Sequence, residues 1–248
     1  CNNNEVLIVT GGTRGIGLVC AEHMIRHYGV KHVVLTGRDV FPEKTQWEQR
    51  DQFSASIQTK IRNVKRLQAL GAQVHVLSLA LDDREAVKTE FSHIAQNIGP
   101  IAGIIHAAGF AKTNNPAFIR KSIHEIEMVL SPKVVGLKNV ISAIDPTSLR
   151  FMLLCSSVSS IIPSLASGQS DYAMANAFMD YVALAHQPQL PIVSIQWPSW
   201  KETGMGEVKS EAYVNTGLLS ITNSEGLHFL DEALHHLEKA GAVRMFRH

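Results

Sequence analysis

A glycine cluster near the start of the chain has the composition of a phosphate-binding turn. Directly after an apolar run, the sequence reads Thr10-Gly11-Gly12-Thr13-Arg14-Gly15-Ile16-Gly17. Such glycines allow a tight turn and a close approach of backbone to a pyrophosphate, which then lies at the positive N-terminal end of the next helix. Read from Gly11, the spacing is GxxxGxG and not GxGxxG. Its place between a strand and a helix favours cofactor binding over a plain strand-to-helix turn.

The end of the second predicted strand bears on the type of nucleotide. There the sequence reads Thr36-Gly37-Arg38-Asp39. An acidic residue at this point would accept a hydrogen bond from the ribose 2′-hydroxyl of NAD, whereas an arginine would bind the 2′-phosphate of NADP through two donors. We expect NADPH, with Arg38 as the main phosphate ligand and Arg14 as a candidate second contact. Asp39 keeps NADH open as the alternative.

Six short apolar runs supply the strands that must position these residues. Each run is too short for a buried helix and is followed by a helical pattern, and several are apolar at nearly every position, as strands covered on both faces require. We therefore predict an α/β fold, a Rossmann-type doubly wound parallel sheet with helices on both faces and ligand sites at the carboxyl ends of its strands. The predicted strands are Glu5 to Thr10, His32 to Thr36, Gln73 to Leu79, Gly103 to Ala107, Phe151 to Cys155 and Ile192 to Trp197.

Length and composition indicate a single domain over residues 1–248 with a sizeable core. A net charge of +1 gives no electrostatic footprint for nucleic acid, and the 45% hydrophobic fraction favours a packed globule. The three cysteines lack metal-ligand spacing, so we expect no metal site and a reducing, cytoplasmic compartment. The sequence contains no run of about 18 apolar residues, so we predict no membrane span. Because the chain opens on Cys1 and soon reaches its first strand, we expect a piece of a longer protein.

Two segments depart from the alternation of strands and helices. Residues 41–70 are predicted to form an exposed helical insert, whose basic side chains we interpret as a solvated face and not as a docking site for an acidic partner. Residues 201–220 carry three glycines and no clean period, which is typical of a mobile lid. The basic side chains of the insert are Lys44, Arg50, Lys60, Arg62, Lys65 and Arg66.

Several ordered motifs resemble the ketoreductase domain of modular polyketide synthases, which belongs to the short-chain dehydrogenase/reductase superfamily. They are the glycine turn, His106-Ala107-Ala108-Gly109 at the end of the fourth strand, Ser156-Ser157, Tyr172-Ala173-Met174-Ala175-Asn176 and Trp197-Pro198-Ser199-Trp200. The resemblance spans nearly the whole chain. It implies NADPH, held by Gly11, Thr13, Arg14, Gly15, Ile16, Gly17, Arg38, Ala107, Ala108 and Gly109.

The resemblance also implies an active-site set of Tyr172, Ser157, Lys133 and Asn176. In ordinary members of the superfamily a lysine follows the tyrosine by four residues, whereas here Asn176 holds that place and Lys133 matches the relocated lysine of synthase ketoreductases. Hydride delivery to a ketone builds negative charge on its oxygen, so Tyr172 would donate a proton and Lys133 would stabilise the phenolate left behind. Ser157 would hold the carbonyl oxygen, and Asn176 would fix Lys133 or a water. Ser156 competes with Ser157, which aligns with the second serine of the family.

Histidines are common in the chain but none is expected to act as a catalyst or a metal ligand. We interpret His106 as a structural residue at the end of a strand and the pair His235-His236 as solvent-facing. No HExxH pattern or carboxylate cluster suggests a metal.

The function implied by the resemblance is NADPH-dependent reduction of a ketoacyl thioester on an acyl carrier protein to the hydroxyacyl thioester, during polyketide biosynthesis. Its partners would be the phosphopantetheine-linked substrate, an upstream structural subdomain and other synthase domains. Alternatives are a stand-alone acyl-carrier-protein reductase of the ordinary superfamily, a non-reducing nucleotide-binding scaffold and, remotely, a methyltransferase. The lack of the family's Leu-Asp-Asp marker after Gly109 leans toward an L-type alcohol.

Overall fold

Six parallel strands form the centre of the molecule. The computed structural model describes residues 4–48, 52–109, 117–186, 189–204 and 206–239. The strands pair in the order β3-β2-β1-β4-β5-β6, which confirms the predicted doubly wound sheet. The direction of winding reverses between β1 and β4, where such sheets hold their ligands. The strands are β1 Val6–Thr10, β2 His32–Gly37, β3 Gln73–Ser78, β4 Ile101–His106, β5 Phe151–Ser157 and β6 Ile192–Trp197.

Helices cover both faces of this sheet. Successive strand residues point to opposite faces, so Leu7 and Val9 belong to one buried cluster while Val6 and Ile8 belong to another. The first cluster includes apolar residues of α1, α2 and α9, and the second those of α3, α5 and α7. The helices are α1 Gly15–Tyr28, α2 Ala55–Ala69, α3 Arg84–Asn97, α4 Ile123–Leu130, α5 Val135–Ala143, α6 Pro163–Ala166, α7 Ser170–His186, α8 Glu211–Val214 and α9 Asn223–Lys239.

All six predicted strands are present, but β5 continues two residues beyond its predicted end at Cys155. Ser156 and Ser157 still pair with Gln196 and Trp197 of β6. Backbone hydrogen bonds extend the strand here, but the side chains are polar. The apolar pattern in the sequence therefore could not indicate this end of the strand. Ser157 is therefore the last residue of a central strand, a more rigid position than a loop.

Within the described residues of the segment from residue 41 to residue 70, α2 forms the second half, and Lys44–Gln46 forms a 3₁₀ turn in the first half. Trp47 anchors the part between them, because its side chain is buried in the core and its Nε1 donates a 3.0 Å hydrogen bond to the Pro42 carbonyl. The sequence predicted an exposed insert here, so the burial of Trp47 is a difference from that prediction. The aromatic residues of this part follow neither the spacing of a helix nor that of a strand, so their burial could not be inferred from the sequence.

The prediction that the basic side chains of this insert are solvated is wrong for Lys60. Its side chain is 8% exposed and its ammonium group forms an ion pair with Asp39, the residue after Arg38. Lys44, Arg62 and Arg66 are exposed, as expected, and Lys65 is half-buried. Arg50 lies outside the described residues.

The segment from residue 201 to residue 220 is tethered at a buried tyrosine. Tyr213 of α8 is 5% exposed, and its hydroxyl accepts a 3.0 Å hydrogen bond from the Ser199 backbone nitrogen. A backbone bridge joins Trp200 to Ile221 and closes the base of the segment. In the described part of the chain, every helix is too short or too polar to cross a bilayer.

Candidate active site

The glycine turn lies at the carboxyl end of β1, against the end of β4. Gly11 has a φ of +68°, and its nitrogen donates a 2.9 Å hydrogen bond to the Thr36 carbonyl. A Cβ atom at Gly11 would lie 2.9 Å from the carbonyl oxygen of Ala107, and one at Gly17 would lie 3.0 Å from the carbonyl oxygen of Gly11. The turn is therefore a tight cradle of bare backbone at the start of α1.

A pair of alanine substitutions separates this close approach from backbone strain alone. Both Gly11 and Gly15 have positive φ, but an added Cβ at Gly15 meets nothing within 4 Å. We expect Gly11→Ala to lower the free energy of unfolding by about 2–4 kcal/mol, since it adds overpacking to strain. Gly15→Ala should lower it by about 1 kcal/mol. Urea unfolding measures both values, and equal losses would contradict the close approach.

The other residues predicted to hold the cofactor surround this turn. Thr13 is buried, and its carbonyl accepts a 3.2 Å hydrogen bond from the Asn63 side chain of α2. Arg14 is exposed just before α1, whose first turn contains Gly15, Ile16 and Gly17. Arg38 is exposed directly after β2. All of them lie at the carboxyl edge of the sheet.

His106, the last residue of β4, ties that strand to a distant turn. Its Nε2 lies 3.0 Å from the Pro132 carbonyl, which can only accept, so Nε2 carries the proton. Its Nδ1 therefore accepts from the Thr10 hydroxyl at 3.0 Å, and Thr10 in turn accepts from the Ala108 nitrogen at 3.2 Å. Burial lowers the pKa of His106 to about 3, and the charge of Lys133 acts in the same direction. A neutral His106 thus has the structural role predicted for it.

Lys133 follows Pro132 in the turn between α4 and α5, and its side chain enters the core. The residue is 5% exposed, and Nζ donates a 2.9 Å hydrogen bond to the Cys155 carbonyl of β5. Burial lowers its pKa to about 8, although Cys155 and Asp180 act in the opposite direction. A Cβ at Gly109 would lie 3.1 Å from Cε of Lys133, so this lysine reaches the loop after β4.

Tyr172, in the first turn of α7, lies close to this ammonium group. Nζ of Lys133 is 5.9 Å from the centroid of the tyrosine ring. Burial raises the pKa of Tyr172 above its ordinary value of 10, whereas side-chain hydrogen bonding with Ser157 and Asn176 lowers it. The structure therefore brings together the four side chains of the predicted active-site set, which come from three separate segments.

The two neighbouring serines of β5 differ in their partners. Ser156 is buried, and its hydroxyl donates a 3.2 Å hydrogen bond to the Asn176 carbonyl of α7. Ser157 is half-buried, and its hydroxyl accepts hydrogen bonds from the nitrogen and hydroxyl of Ser159 at 3.3 and 3.1 Å. The proton of the Ser157 hydroxyl is thus free to be donated toward Tyr172 or a ligand, while Ser156 holds strand to helix.

Asn176 is fully buried one turn after Tyr172. Its Nδ2 donates a 2.8 Å hydrogen bond to the Tyr172 carbonyl. Its Oδ1 has no hydrogen-bond partner among the described residues. A buried acceptor of this kind is available to a donor from a water or a ligand.

A buried ion pair at the start of α7 was missed by the sequence analysis. Asp171, directly before Tyr172, accepts hydrogen bonds from Nζ of Lys121 at 2.6 and 2.8 Å, and both side chains are 0% exposed. Lys121 also donates to Gln169 at 3.3 Å. The acidic residue beside the tyrosine was a weak signal, but nothing in the spacing indicated a partner fifty residues earlier.

The sheet order and the glycine turn define the class of this protein, a Rossmann-type α/β domain. The model of the KR domain family matches residues 6–202. The chain therefore belongs to the family of ketoreductase domains found in polyketide synthases.

Two relatives of the chain are polyketide synthases, and one similar structure is a ketoreductase domain. The chain is 54% identical over 233 residues to Polyketide synthase PksL of Bacillus subtilis strain 168, covering 94% of the chain and 5% of that protein. It is 33% identical over 239 residues to PksN of the same organism, covering 92% and 4%. A solved ketoreductase domain from the bacillaene assembly line superposes with a TM-score of 0.77 at 31% identity, covering 94% of the chain and 54% of that structure. The chain thus spans a small part of these synthases and about half of that structure.

Proposed function

We propose that this chain is an NADPH-dependent ketoreductase, which reduces a ketoacyl thioester carried by an acyl carrier protein to the hydroxyacyl thioester during polyketide biosynthesis. One observation carries the proposal: Lys133, Ser157 and Tyr172 lie together beside the carboxyl edge that also bears the glycine turn. Two relatives of the chain are polyketide synthases, which supports the same activity.

The residues present fit a dinucleotide. A Cβ atom at Gly11 or at Gly17 would meet the protein's own backbone, whereas one at Gly15 would meet nothing within 4 Å, so the turn is compact and leaves room beside Gly15 for a pyrophosphate. Arg14 and Arg38 would hold a 2′-phosphate at the end of β2, which favours NADPH over NADH. The nicotinamide would lie along the loop formed by Ala107, Ala108 and Gly109. When bound, this cofactor supplies the hydride.

The side chains around Tyr172 would complete the reduction. As negative charge develops on the ketone oxygen, the phenol of Tyr172 donates its proton and the Ser157 hydroxyl donates a hydrogen bond to the same oxygen. The ammonium of Lys133 stabilises the phenolate that remains. Asn176 would offer its Oδ1, which has no partner in the described part of the chain, to a water that returns a proton to Tyr172.

The pH dependence of kcat/KM should report Lys133, because this ratio follows the ionisation of the free enzyme. Its pKa is about 8, so the charged form predominates below that pH and is lost as the pH rises through it. We expect kcat/KM to fall above pH 8 in the native protein. Tyr172, whose pKa is raised above 10, does not contribute near pH 8.

Lys133→Met tests this assignment in the same titration. The variant should have kcat/KM lowered by about 10²-fold and no fall near pH 8, since it lacks the group that titrates. Persistence of the fall in Lys133→Met would show that another group causes it. Lys133→Arg, which keeps its charge throughout, should also lack the fall.

A direct assay tests the activity itself. The purified chain is incubated with NADPH and a panel of β-ketoacyl pantetheine thioesters, while cofactor absorbance is followed and the alcohols are resolved on a chiral column. We expect NADPH oxidation matched by hydroxyacyl product, predominantly L-type. Tight NADPH binding with no oxidation would favour the non-reducing scaffold, and a tetramer in light scattering would favour the stand-alone reductase.

The remaining expectations belong to the same proposal. Residues 201–220 would form a lid over the substrate, within a single catalytic domain. An upstream structural subdomain, the acyl carrier protein and other synthase domains would be its partners. The cytoplasm would be its compartment.

A further inference from the structure

Lys60 of α2 forms an ion pair at the nucleotide edge of the sheet. Its ammonium group donates to Oδ2 of Asp39, which directly follows Arg38 after β2. The lysine side chain is 8% exposed, whereas that of Asp39 is 64% exposed. A buried ammonium is costly without a counter-charge, so this pairing is a built feature and not a chance contact of two mobile surface chains.

Two further contacts hold this arrangement in place. Asn63, one turn after Lys60 on the same side of α2, donates to the Thr13 carbonyl of the glycine turn at 3.2 Å. The hydroxyl of Ser78, the last residue of β3, donates to the Asp39 carbonyl at 2.9 Å and accepts from the Phe41 nitrogen at 3.0 Å. Helix α2 therefore contacts both the turn that would hold the pyrophosphate and the segment that would hold the adenosine ribose.

The ion pair compensates the negative charge of Asp39. An unpaired carboxylate after β2 attracts a ribose 2′-hydroxyl and repels a 2′-phosphate. Lys60 holds the pKa of Asp39 below its usual range chiefly by hydrogen bonding and by its charge, and Arg14 and Arg38 act in the same direction. The carboxylate is therefore ionised, and its charge is compensated by Lys60.

We propose that Lys60 determines nucleotide specificity, because it neutralises Asp39 and so lets Arg14 and Arg38 bind a 2′-phosphate. This inference rests on the proposed use of NADPH. It assigns a binding role to the inserted helix, which contacts the nucleotide edge through Lys60 and Asn63. Lys60 is here a positioning residue that acts through Asp39.

Nucleotide fragments test the proposal without any turnover. Calorimetric titration with 2′,5′-ADP and with 5′-AMP compares two ligands that differ only in the 2′-phosphate. We expect Lys60→Met to weaken 2′,5′-ADP binding at least about tenfold and to leave 5′-AMP within about threefold, because only the phosphate meets the freed carboxylate. The double variant Lys60→Met/Asp39→Asn should recover the native preference within about threefold, since both charges are then absent.

Control variants separate specificity from folding. Lys65→Met, on the same helix, removes an ion pair to Glu48 of 2.7 Å and should leave both affinities unchanged. Lys60→Arg keeps the charge and should keep the preference. Asp39→Asn leaves the ammonium of Lys60 without its counter-charge, so it should raise 2′,5′-ADP affinity or leave it unchanged, and should not lower it.

Three outcomes would overturn the role of Lys60. These are an unchanged preference in Lys60→Met, an equal loss of both ligands in that variant, and a loss of 2′,5′-ADP affinity of more than about threefold in Asp39→Asn. The last holds even if Lys60→Met does not fold. A native protein that binds both fragments equally would instead contradict the proposed preference for NADPH.

Discussion

Tyr172→Phe should lower kcat by about 10²–10⁴-fold, the range that a positioned general acid contributes. The substitution removes one hydroxyl and keeps the ring that lies 5.9 Å from Nζ of Lys133. Because the phenol would act on the substrate and not on the nucleotide, NADPH affinity should stay within about threefold. Single-turnover kinetics with a β-ketoacyl thioester and a separate NADPH titration measure the two effects.

A second tyrosine of α7 provides the control for this substitution. Tyr181 is 67% exposed on the same helix, so Tyr181→Phe should change neither kcat nor NADPH affinity. If Tyr172→Phe kept the native kcat, Tyr172 would not be the proton donor. A loss of NADPH affinity equal to the loss of kcat would indicate a structural role.

Lys121→Met should lower the free energy of unfolding by about 3–5 kcal/mol, because it leaves a buried carboxylate without its counter-charge. Both members of the Lys121–Asp171 pair are 0% exposed, and two hydrogen bonds join them. Asp171 directly precedes Tyr172, so the start of α7 should loosen and kcat should fall as well. Urea unfolding of the native protein and the variant gives the difference.

A double-mutant cycle isolates this ion pair from simple loss of packing. Lys121→Met/Asp171→Asn should be more stable than Lys121→Met alone, because no unpaired charge remains. Lys65→Met, which breaks a partly exposed pair, should cost less than about 1 kcal/mol. Additive losses in the cycle would contradict the coupling between Lys121 and Asp171.

The sheet and the glycine turn were predictable because their signals are local. Each strand is a short apolar run, and the turn of Gly11 to Gly17 lies in one stretch between a strand and a helix. The extension of β5 to Ser157 was not predictable in the same way, since polar side chains cover a ladder of backbone hydrogen bonds. Local patterns thus identify strands but not their polar ends.

Pairs that join distant parts of the chain could not be predicted from spacing. Lys121 and Asp171 are fifty residues apart, and Lys60 lies twenty-one residues after Asp39. As a lysine in a charged helical stretch, Lys60 had the sequence context of a solvated residue. Only the packing of α2 against the end of β2 shows that it is buried. The roles of Tyr172 and its neighbours stay predictions, although the structure places them together.

Under the proposed function, this site transfers hydride from a nicotinamide to a ketone held by Ser157 and Tyr172. NADPH carrying deuterium at both C4 positions, incubated with a β-ketoacyl pantetheine thioester, tests it most directly by mass spectrometry of the alcohol. We expect a hydroxyacyl product that gains one carbon-bound deuterium with the native protein and forms far more slowly with Tyr172→Phe. A product without deuterium, or NADPH that remains unoxidised while bound, would contradict it.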